Sequence, residues 1–199
     1  METNLAAQVK PSQFHGKESL QAPLLPEAML RNYFRAKDEN RPHLLATVFS
    51  AAATLEIHNR SSTIVFPAVT TGRDAIADVL VRSFGQTYEN VYSFYLDKPP
   101  SAVRAFSSRW LVVMSEKLTR NARVGCGRYD WTFEVDPPHL ARHLAITIEV
   151  MQVLAPDDWS TVHAWLQHLD YPWSSAASAR DSAPSIGQLA PVIQYLERT

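Results

Sequence analysis

The stretch Asn121–Asp136 decides the fold, and it reads Asn-Ala-Arg-Val-Gly-Cys-Gly-Arg-Tyr-Asp-Trp-Thr-Phe-Glu-Val-Asp. A β-strand imposes a period of two, which sorts the second half of this stretch onto two faces. One face carries Tyr129, Trp131, Phe133 and Val135, and the other carries Arg128, Asp130, Thr132 and Glu134. Three aromatic side chains on one face need a large apolar surface, whereas the polar face needs water, a ligand or a partner chain. The stretch therefore predicts the central strand of an antiparallel sheet with one dry side.

The first half of the same stretch contains Gly125-Cys126-Gly127. Glycines relieve crowding where a sheet bends, so this triplet indicates strand curvature. Cys126 is the only cysteine, which excludes an internal disulfide and fits a reducing compartment. A small packed thiol is favoured over a nucleophile, because no base is identifiable beside it.

Outward from the central strand, hydrophobic periodicity predicts helices and strands in a mixed order. Two short helices are expected between Leu24 and Ala51, followed by a hairpin of residues 54–59 and 63–66. Thr71-Gly72-Arg73-Asp74 resembles a capping box that opens a third helix, which Gly85 would close. Further strands are expected at residues 90–96, 109–118, 121–136 and 145–154, with another helix after Pro156.

The overall composition excludes several classes of protein. The chain is 46% hydrophobic, and 19 basic side chains nearly balance 20 acidic ones. This balance gives no excess of positive charge of the kind that binds nucleic acid or an anionic membrane surface. No apolar run approaches the roughly 18 residues of a membrane span. The first residues lack a basic-then-apolar leader, so we expect a cytoplasmic protein.

The predicted order resembles the cystatin-like α+β cone of the nuclear transport factor two-like superfamily, and the SnoaL-like group within it. The resemblance covers roughly Pro26 to Leu154. The residues that carry it are Tyr33-Phe34-Arg35-Ala36-Lys37-Asp38, Leu44-Leu45, Phe49, Leu55-Glu56-Ile57 and Gly72-Arg73-Asp74-Ala75-Ile76. It implies a curved, mostly antiparallel sheet wrapped around three N-terminal helices, with an extra C-terminal helix.

The chain is expected to divide into four parts. Residues 1–22 form a mobile leader, and residues 23–156 form the SnoaL-like cone. Residues 157–173 form a helical extension, and residues 174–199 form a low-complexity linker and tail. Of these, residues 174–185 are not expected to pack, whereas residues 186–196 have some amphipathic character.

An acid/base site in such a cone needs a carboxylate or a histidine that faces an apolar cavity, with a donor to hold the substrate oxygen. His58 and Asp38 are the candidate bases, and Tyr129 is the candidate donor. Each has a plainer alternative: His58 can face solvent beside Glu56, Asp38 can belong to the polar connection after the first helix, and Tyr129 can be core. The predicted pocket-lining residues are Tyr33, Phe34, Trp110, Trp131 and Phe133. No strict match to the acid/base sets of ketosteroid isomerases, scytalone dehydratases or polyketide cyclases is found.

Metals and cofactors are not expected. His139 and His143 have a spacing of four, but two prolines precede them and no third ligand is evident, so a surface turn is favoured. The chain has no glycine-rich phosphate loop, no paired-cysteine site and no Gly-x-Ser-x-Gly motif.

Two functions remain open. The first is a small-ligand pocket for a small apolar or aromatic molecule, as in a cofactor-independent lyase, isomerase or hydratase that works by proton transfer. The second is a non-catalytic ligand-binding or homodimeric assembly module, in which the outer face of the sheet pairs with a second copy.

Overall fold

The aromatic strand lies near the middle of a single curved six-stranded sheet. The computed structural model describes residues 26–101 and 103–198, so the predicted leader at 1–22 lies outside the described residues. The strand order is β2-β1-β6-β5-β4-β3, with β1 parallel to β6 and every other pair antiparallel. The strands are β1 (Phe49–Asn59), β2 (Val69–Thr71), β3 (Tyr88–Tyr95), β4 (Ala105–Glu116), β5 (Ala122–Phe133) and β6 (Ala141–Leu154).

Helices lie before, between and after the strands. None of those described is long and apolar enough to cross a membrane. The N-terminal helical segments are α1 (Pro26–Asp38), a 3₁₀ helix (Pro42–Thr47), α2 (Arg73–Ala77), a π-helical turn (Asp78–Ser83) and α3 (Phe84–Thr87). The C-terminal segments are a 3₁₀ turn (Pro156–Asp158), α4 (Trp159–Leu166), α5 (Ala176–Asp181), a 3₁₀ turn (Gly187–Leu189) and α6 (Ala190–Leu196). The predicted α+β cone with a curved, mostly antiparallel sheet around N-terminal helices is confirmed.

The inner face of the sheet packs on the N-terminal helices. Tyr129, Trp131 and Phe133 are all buried in one core with the apolar stripe of α1. The ring of Tyr33 contacts the ring of Trp131 edge-on, with a centroid distance of 5.0 Å. The predicted inward direction of these three rings is therefore confirmed. Val135, predicted on the same face, lies beyond the end of β5 and is exposed.

The outer face of the sheet carries a second core, which the sequence did not predict. Val124 and Cys126 are fully buried under the C-terminal helices, together with Leu111 of the neighbouring strand. The helices contribute to this core the following apolar residues: Val162, Trp165, Leu166, Leu169, Ala176, Ala179, Leu189, Val192, Tyr195 and Leu196. The predicted homodimer used this outer face. Its apolar part is already covered by residues of the same chain.

The expectation that residues 174–185 do not pack is wrong. Ala179 is fully buried, and its carbonyl accepts a hydrogen bond of 3.0 Å from Trp165 Nε1. The segment is poor in large apolar residues, but small alanines allow α5 to pack closely against the neighbouring helices. The backbone of residues 172–174 also joins the sheet edge, since Tyr95 N donates to Pro172 O and Ser174 N donates to Tyr95 O.

Three local predictions are corrected. Residues 63–66 are not a strand, and the partner of β1 is the shorter β2, with Thr54 opposite Thr71. The chain enters β1 at Phe49 rather than continuing as a helix to Ala51. No capping side chain is found at the start of α2, where Gly72 at φ 93° occupies the cap position, and Gly85 is helical rather than left-handed.

Candidate functional site

A small cavity of about 50 Å³ lies inside the cone, between α1 and the inner face of the sheet. Tyr33 and Lys37 of α1 are four residues apart, which places both side chains on the same face of the helix. The cavity is lined by Tyr33, Lys37, Ile57, Ile64, Phe66, Leu80, Phe84, Trp110, Val112, Met114, Tyr129, Ile146, Ile148 and Met151. The walls are thus almost wholly apolar, with a few polar atoms from aromatic side chains and one lysine.

Two of the residues that line this cavity, Tyr33 and Trp110, carry a polar atom that lacks a hydrogen-bond partner. Tyr33 Oη and Trp110 Nε1 are buried, and neither finds a partner among the described residues. Leaving a buried polar group unsatisfied costs about 1–3 kcal/mol, so such atoms usually indicate a water or a ligand. Burial raises the pKa of Tyr33 far above its ordinary value, while the neighbouring Tyr129 hydroxyl opposes the rise.

Lys37 belongs to a buried polar cluster at the end of α1. Its Nζ lies 2.5 Å from Asp38 Oδ1 and donates to Ser93 Oγ at 2.6 Å. Ser93 in turn donates from its backbone N to Asp38 Oδ2 and from Oγ to Asp38 Oδ1, each at 2.9 Å. The side chains of Lys37 and Asp38 are only 7% and 4% exposed. The cluster therefore holds a complete ion pair inside the protein.

The two members of this pair face different spaces. Lys37 lines the cone cavity, and its Nζ lies 5.4 Å from the centre of the Phe84 ring, which also lines the cavity. Asp38 instead borders an outer groove of about 410 Å³ between the cone and the C-terminal helices. Burial raises the pKa of Asp38, while Lys37 and Ser93 oppose that rise.

The loop between β1 and β2 covers the cavity. Ile64 and Phe66 of this loop line the cavity, and the Phe66 ring stacks on Phe84 with a centroid distance of 6.4 Å. The loop is held in place by Thr63, whose Oγ1 donates to Met151 O at 2.7 Å and whose carbonyl accepts from Arg123 Nη1 at 2.6 Å.

The structure does not bring the three predicted catalytic residues together. His58 lies on the outer face of β1, where its side chain is 58% exposed and its Nε2 lies 3.6 Å from Glu56 Oε2. The prediction that His58 faces the cavity is therefore wrong, because the alternation of β1 turns Ile57 inward instead. Asp38 is buried but borders the groove. Tyr129 does line the cavity, where its ring stacks on Trp110 at 5.5 Å.

Of the five predicted lining residues, only Tyr33 and Trp110 contact the cavity. Phe34, Trp131 and Phe133 fill the cone with stacked rings instead. Phe34 stacks on Tyr95 at 4.0 Å, and Trp131 stacks on Phe133 at 6.3 Å. The cavity does not extend to these three rings.

Lys37 was not among the predicted site residues, although its position on α1 indicates a buried side chain. Met29, Leu30, Tyr33 and Phe34 mark the apolar stripe of α1, and Lys37 continues that stripe one turn after Tyr33. A lysine on a buried stripe is rare unless it is paired, so its position alone pointed to an internal partner.

A metal site is not built by the described residues. In residues 26–101 and 103–198, no three side chains of His, Cys, Asp or Glu come close enough to hold a metal ion. His139 lies in a turn, where its Nδ1 is 3.3 Å from Glu134 O, and His143 lies on β6.

Comparison with solved structures identifies the class of fold. A candidate isomerase from Rhodopseudomonas palustris superposes with a TM-score of 0.51 at 14% identity, over 61% of this chain and 87% of that one. A hexachlorocyclohexane dehydrochlorinase superposes with a TM-score of 0.50 at 13% identity, over 64% and 84%. A nuclear transport factor 2 (NTF2-like) superfamily protein from Salmonella enterica gives a TM-score of 0.49 at 16% identity, over 62% and 88%.

These comparisons place the molecule among the α+β cone proteins. The chain shares the α+β cone fold of the first two structures, which confirms the fold that the resemblance implied. No protein-family model matches the sequence. A search of curated proteins finds no match either.

Proposed function

We propose that the cone cavity is a binding site for a small, mostly apolar molecule that carries a hydrogen-bond-accepting oxygen, as in the SnoaL-like group. One observation carries this proposal: Tyr33 and Trp110 line the cavity, and their Oη and Nε1 atoms are buried donors without acceptors among the described residues. A ligand oxygen that reached either donor would remove the cost of an unsatisfied group.

The cavity is smaller than a ligand of this kind, so binding requires its walls to move. A dry engineered cavity of about 150 Å³ accommodates benzene, which is more than the space found here. Met114 and Met151 line the cavity, and methionine side chains adapt to irregular space at low cost. The loop that carries Ile64 and Phe66 supplies a second movable wall.

A second candidate function is proton transfer without a cofactor, as in a lyase, isomerase or hydratase. The observation that favours it is the buried Lys37 in the cavity wall, since its partner Asp38 can exchange a proton with it at 2.5 Å. The names of similar structures include an isomerase and a dehydrochlorinase, which are chemistries of this kind. Lys37 replaces His58 and Asp38 as the group that would meet the substrate.

The assembly alternative has less support. The apolar half of the outer sheet face is covered by α4 to α6, and the uncovered half carries the ion pair of Arg128 and Asp130 at 2.8 Å. We therefore favour the ligand-binding function over a homodimeric module, and light scattering tests the choice.

The binding proposal is tested with Tyr33→Phe. Removal of an unpartnered hydroxyl leaves the stability of the empty protein unchanged or raises it, and it weakens binding of oxygen-bearing ligands. The matched control is Tyr95→Phe, because Tyr95 Oη donates to Leu30 O at 3.4 Å and does not line the cavity.

The measurements are thermal unfolding and ligand titration followed by the indole N–H signal of Trp110 in NMR spectra. We expect weaker binding in Tyr33→Phe and unchanged binding in Tyr95→Phe. Equal affinities in both variants, or no ligand that moves the Trp110 signal, would refute the proposal.

A further inference from the structure

We propose that the cavity selects neutral ligands over charged ones, and that Asp38 sets this selectivity without touching the ligand. The inference rests on the proposed binding function and adds the charge class of the ligand. The ion pair of Lys37 and Asp38 is the feature that distinguishes this cavity from a purely apolar one.

The charge of Lys37 is already matched inside the protein. The distance of 2.5 Å to Asp38 Oδ1 and the hydrogen bond to Ser93 Oγ use two of its three N–H donors. Neither of these partners uses the third donor, and the net charge of the pair is zero. Among the described residues, Lys37 is the only Lys, Arg, Asp or Glu in the cavity lining.

Nearby charges do not alter this balance. Glu39, which borders the groove with Asp38, is paired with Arg41 at 2.9 Å and lies 3.9 Å from Arg35. Arg123, which also donates to the carbonyl of Thr63 in the covering loop, pairs with Glu116 at 2.5 Å. These charged groups are thus compensated by their own partners.

Three classes of ligand can be compared on this basis. A carboxylate would leave one uncompensated negative charge in an apolar, buried space, which is costly. An amine would add a positive charge beside Lys37 and would find donors where it needs acceptors. A ketone, an aldehyde or an ester brings only an acceptor oxygen, so it can bond to Tyr33 Oη, Trp110 Nε1 or the third donor of Lys37.

Asp38 is the residue on which this selectivity depends. It borders the groove and does not line the cavity, so its removal leaves the cavity wall intact. Asp38→Asn removes the counter-charge while it keeps the size and one oxygen acceptor. Lys37 then carries an unmatched positive charge next to the cavity, and a carboxylate becomes the ligand that compensates it.

The test uses three probes with the same number of non-hydrogen atoms: 2-butanone, propanoate and sec-butylamine. Binding is followed at pH 7 by the indole N–H signal of Trp110, identified with Trp110→Phe. The wild-type protein is expected to bind 2-butanone more tightly than either charged probe. In Asp38→Asn, the ratio of propanoate affinity to 2-butanone affinity is expected to rise by roughly tenfold or more.

Two further variants make the test decisive. Asp130→Asn removes a carboxylate from the outer face and is expected to leave the ratio unchanged, since its partner Arg128 is exposed. Lys37→Met/Asp38→Asn removes both charges and is expected to prefer 2-butanone again, which also covers the case in which Asp38→Asn does not fold.

The outcomes separate this inference from the proposed function. Wild-type protein that binds propanoate as well as 2-butanone, or a double variant that favours propanoate, would overturn the charge selectivity while the pocket stands. An unchanged ratio in folded Asp38→Asn would do the same. A Trp110 signal that responds to no probe would overturn both.

Discussion

Two glycines on β5 are predicted to respond to alanine to different extents. Gly125 and Gly127 both point toward the inner face, and neither has a positive φ, so backbone strain does not separate them. A Cβ at Gly127 would lie 1.9 Å from Thr147 O, which is a backbone atom of the neighbouring strand, and 2.8 Å from Trp110 Cζ2. A Cβ at Gly125 would lie 2.4 Å from Met151 Cε and 2.9 Å from Met151 Sδ, which belong to a flexible side chain.

The difference in free energy follows from what has to move. Gly127→Ala must push β6 away from β5, so the upper end of the usual cost of overpacking applies, about 3 kcal/mol. For a chain of this length, 1 kcal/mol corresponds to about 2–4 °C in Tm, which gives a decrease of about 6–12 °C. Gly125→Ala mainly displaces the Met151 side chain, at about 1 kcal/mol and 2–4 °C.

Differential scanning calorimetry and ligand titration together test this pair. Gly127→Ala should lower Tm by the larger amount. Gly125→Ala should retain the fold but bind ligands more weakly, because Met151 is pushed into the space it lines. Equal losses of Tm in the two variants, or undiminished binding in Gly125→Ala, would refute the reasoning about Met151.

Three further predictions concern the rest of the molecule. A chain that ends at Ala155 lacks the helices that cover the outer sheet face, so it should self-associate and bind a hydrophobic dye. The full chain should scatter light as a 22.4 kDa monomer. A full-length dimer would contradict this prediction. The Thr119 hydroxyl and then Arg123 hold the pKa of Glu116 below its ordinary 4.5, so Glu116 stabilises the fold above pH 4.5 and loses this effect as the pH falls. Glu116→Gln should therefore lower the free energy of unfolding at pH 7 by roughly 1–2 kcal/mol and less in acid, as urea titrations would show; a pH-independent loss would contradict it. The Cys126 thiol is fully buried and burial raises its pKa, so it should react with a disulfide reagent only as fast as the protein unfolds, and rapid reaction in the native state would be contrary evidence.

The order of the elements could be predicted because periodicity in long segments is a strong signal. The aromatic alternation at Tyr129, Trp131 and Phe133 fixed both the strand and its inner face. The edge of the sheet was harder. Residues 63–66 alternate like a strand, but Arg123 and Met151 bind Thr63 in the covering loop, and those contacts arise only in the folded chain.

The candidate site could be predicted only in part, because a cavity is the space that packing leaves. Tyr33, Trp110 and Tyr129 were expected in the pocket and line it. Phe34, Trp131 and Phe133 are on the same inner side, yet they stack on neighbours and fill their space. Strand alternation identifies which side a residue faces, and it does not say whether the facing volume is occupied.

The sequence of the strands, by contrast, does indicate which part of the outer face is covered. Along β5, the outward residues are apolar up to Cys126 and polar from Arg128 onward, and the second core ends at the same point. Arg109 lies directly opposite Arg128 on β4, and its Nη1 donates to the carbonyl of Arg198, after α6, at 2.5 Å. The outer face of β5 therefore packs against the chain's own helices in its first half and faces solvent in its second half. A second copy that paired through the whole face would have to displace those helices first.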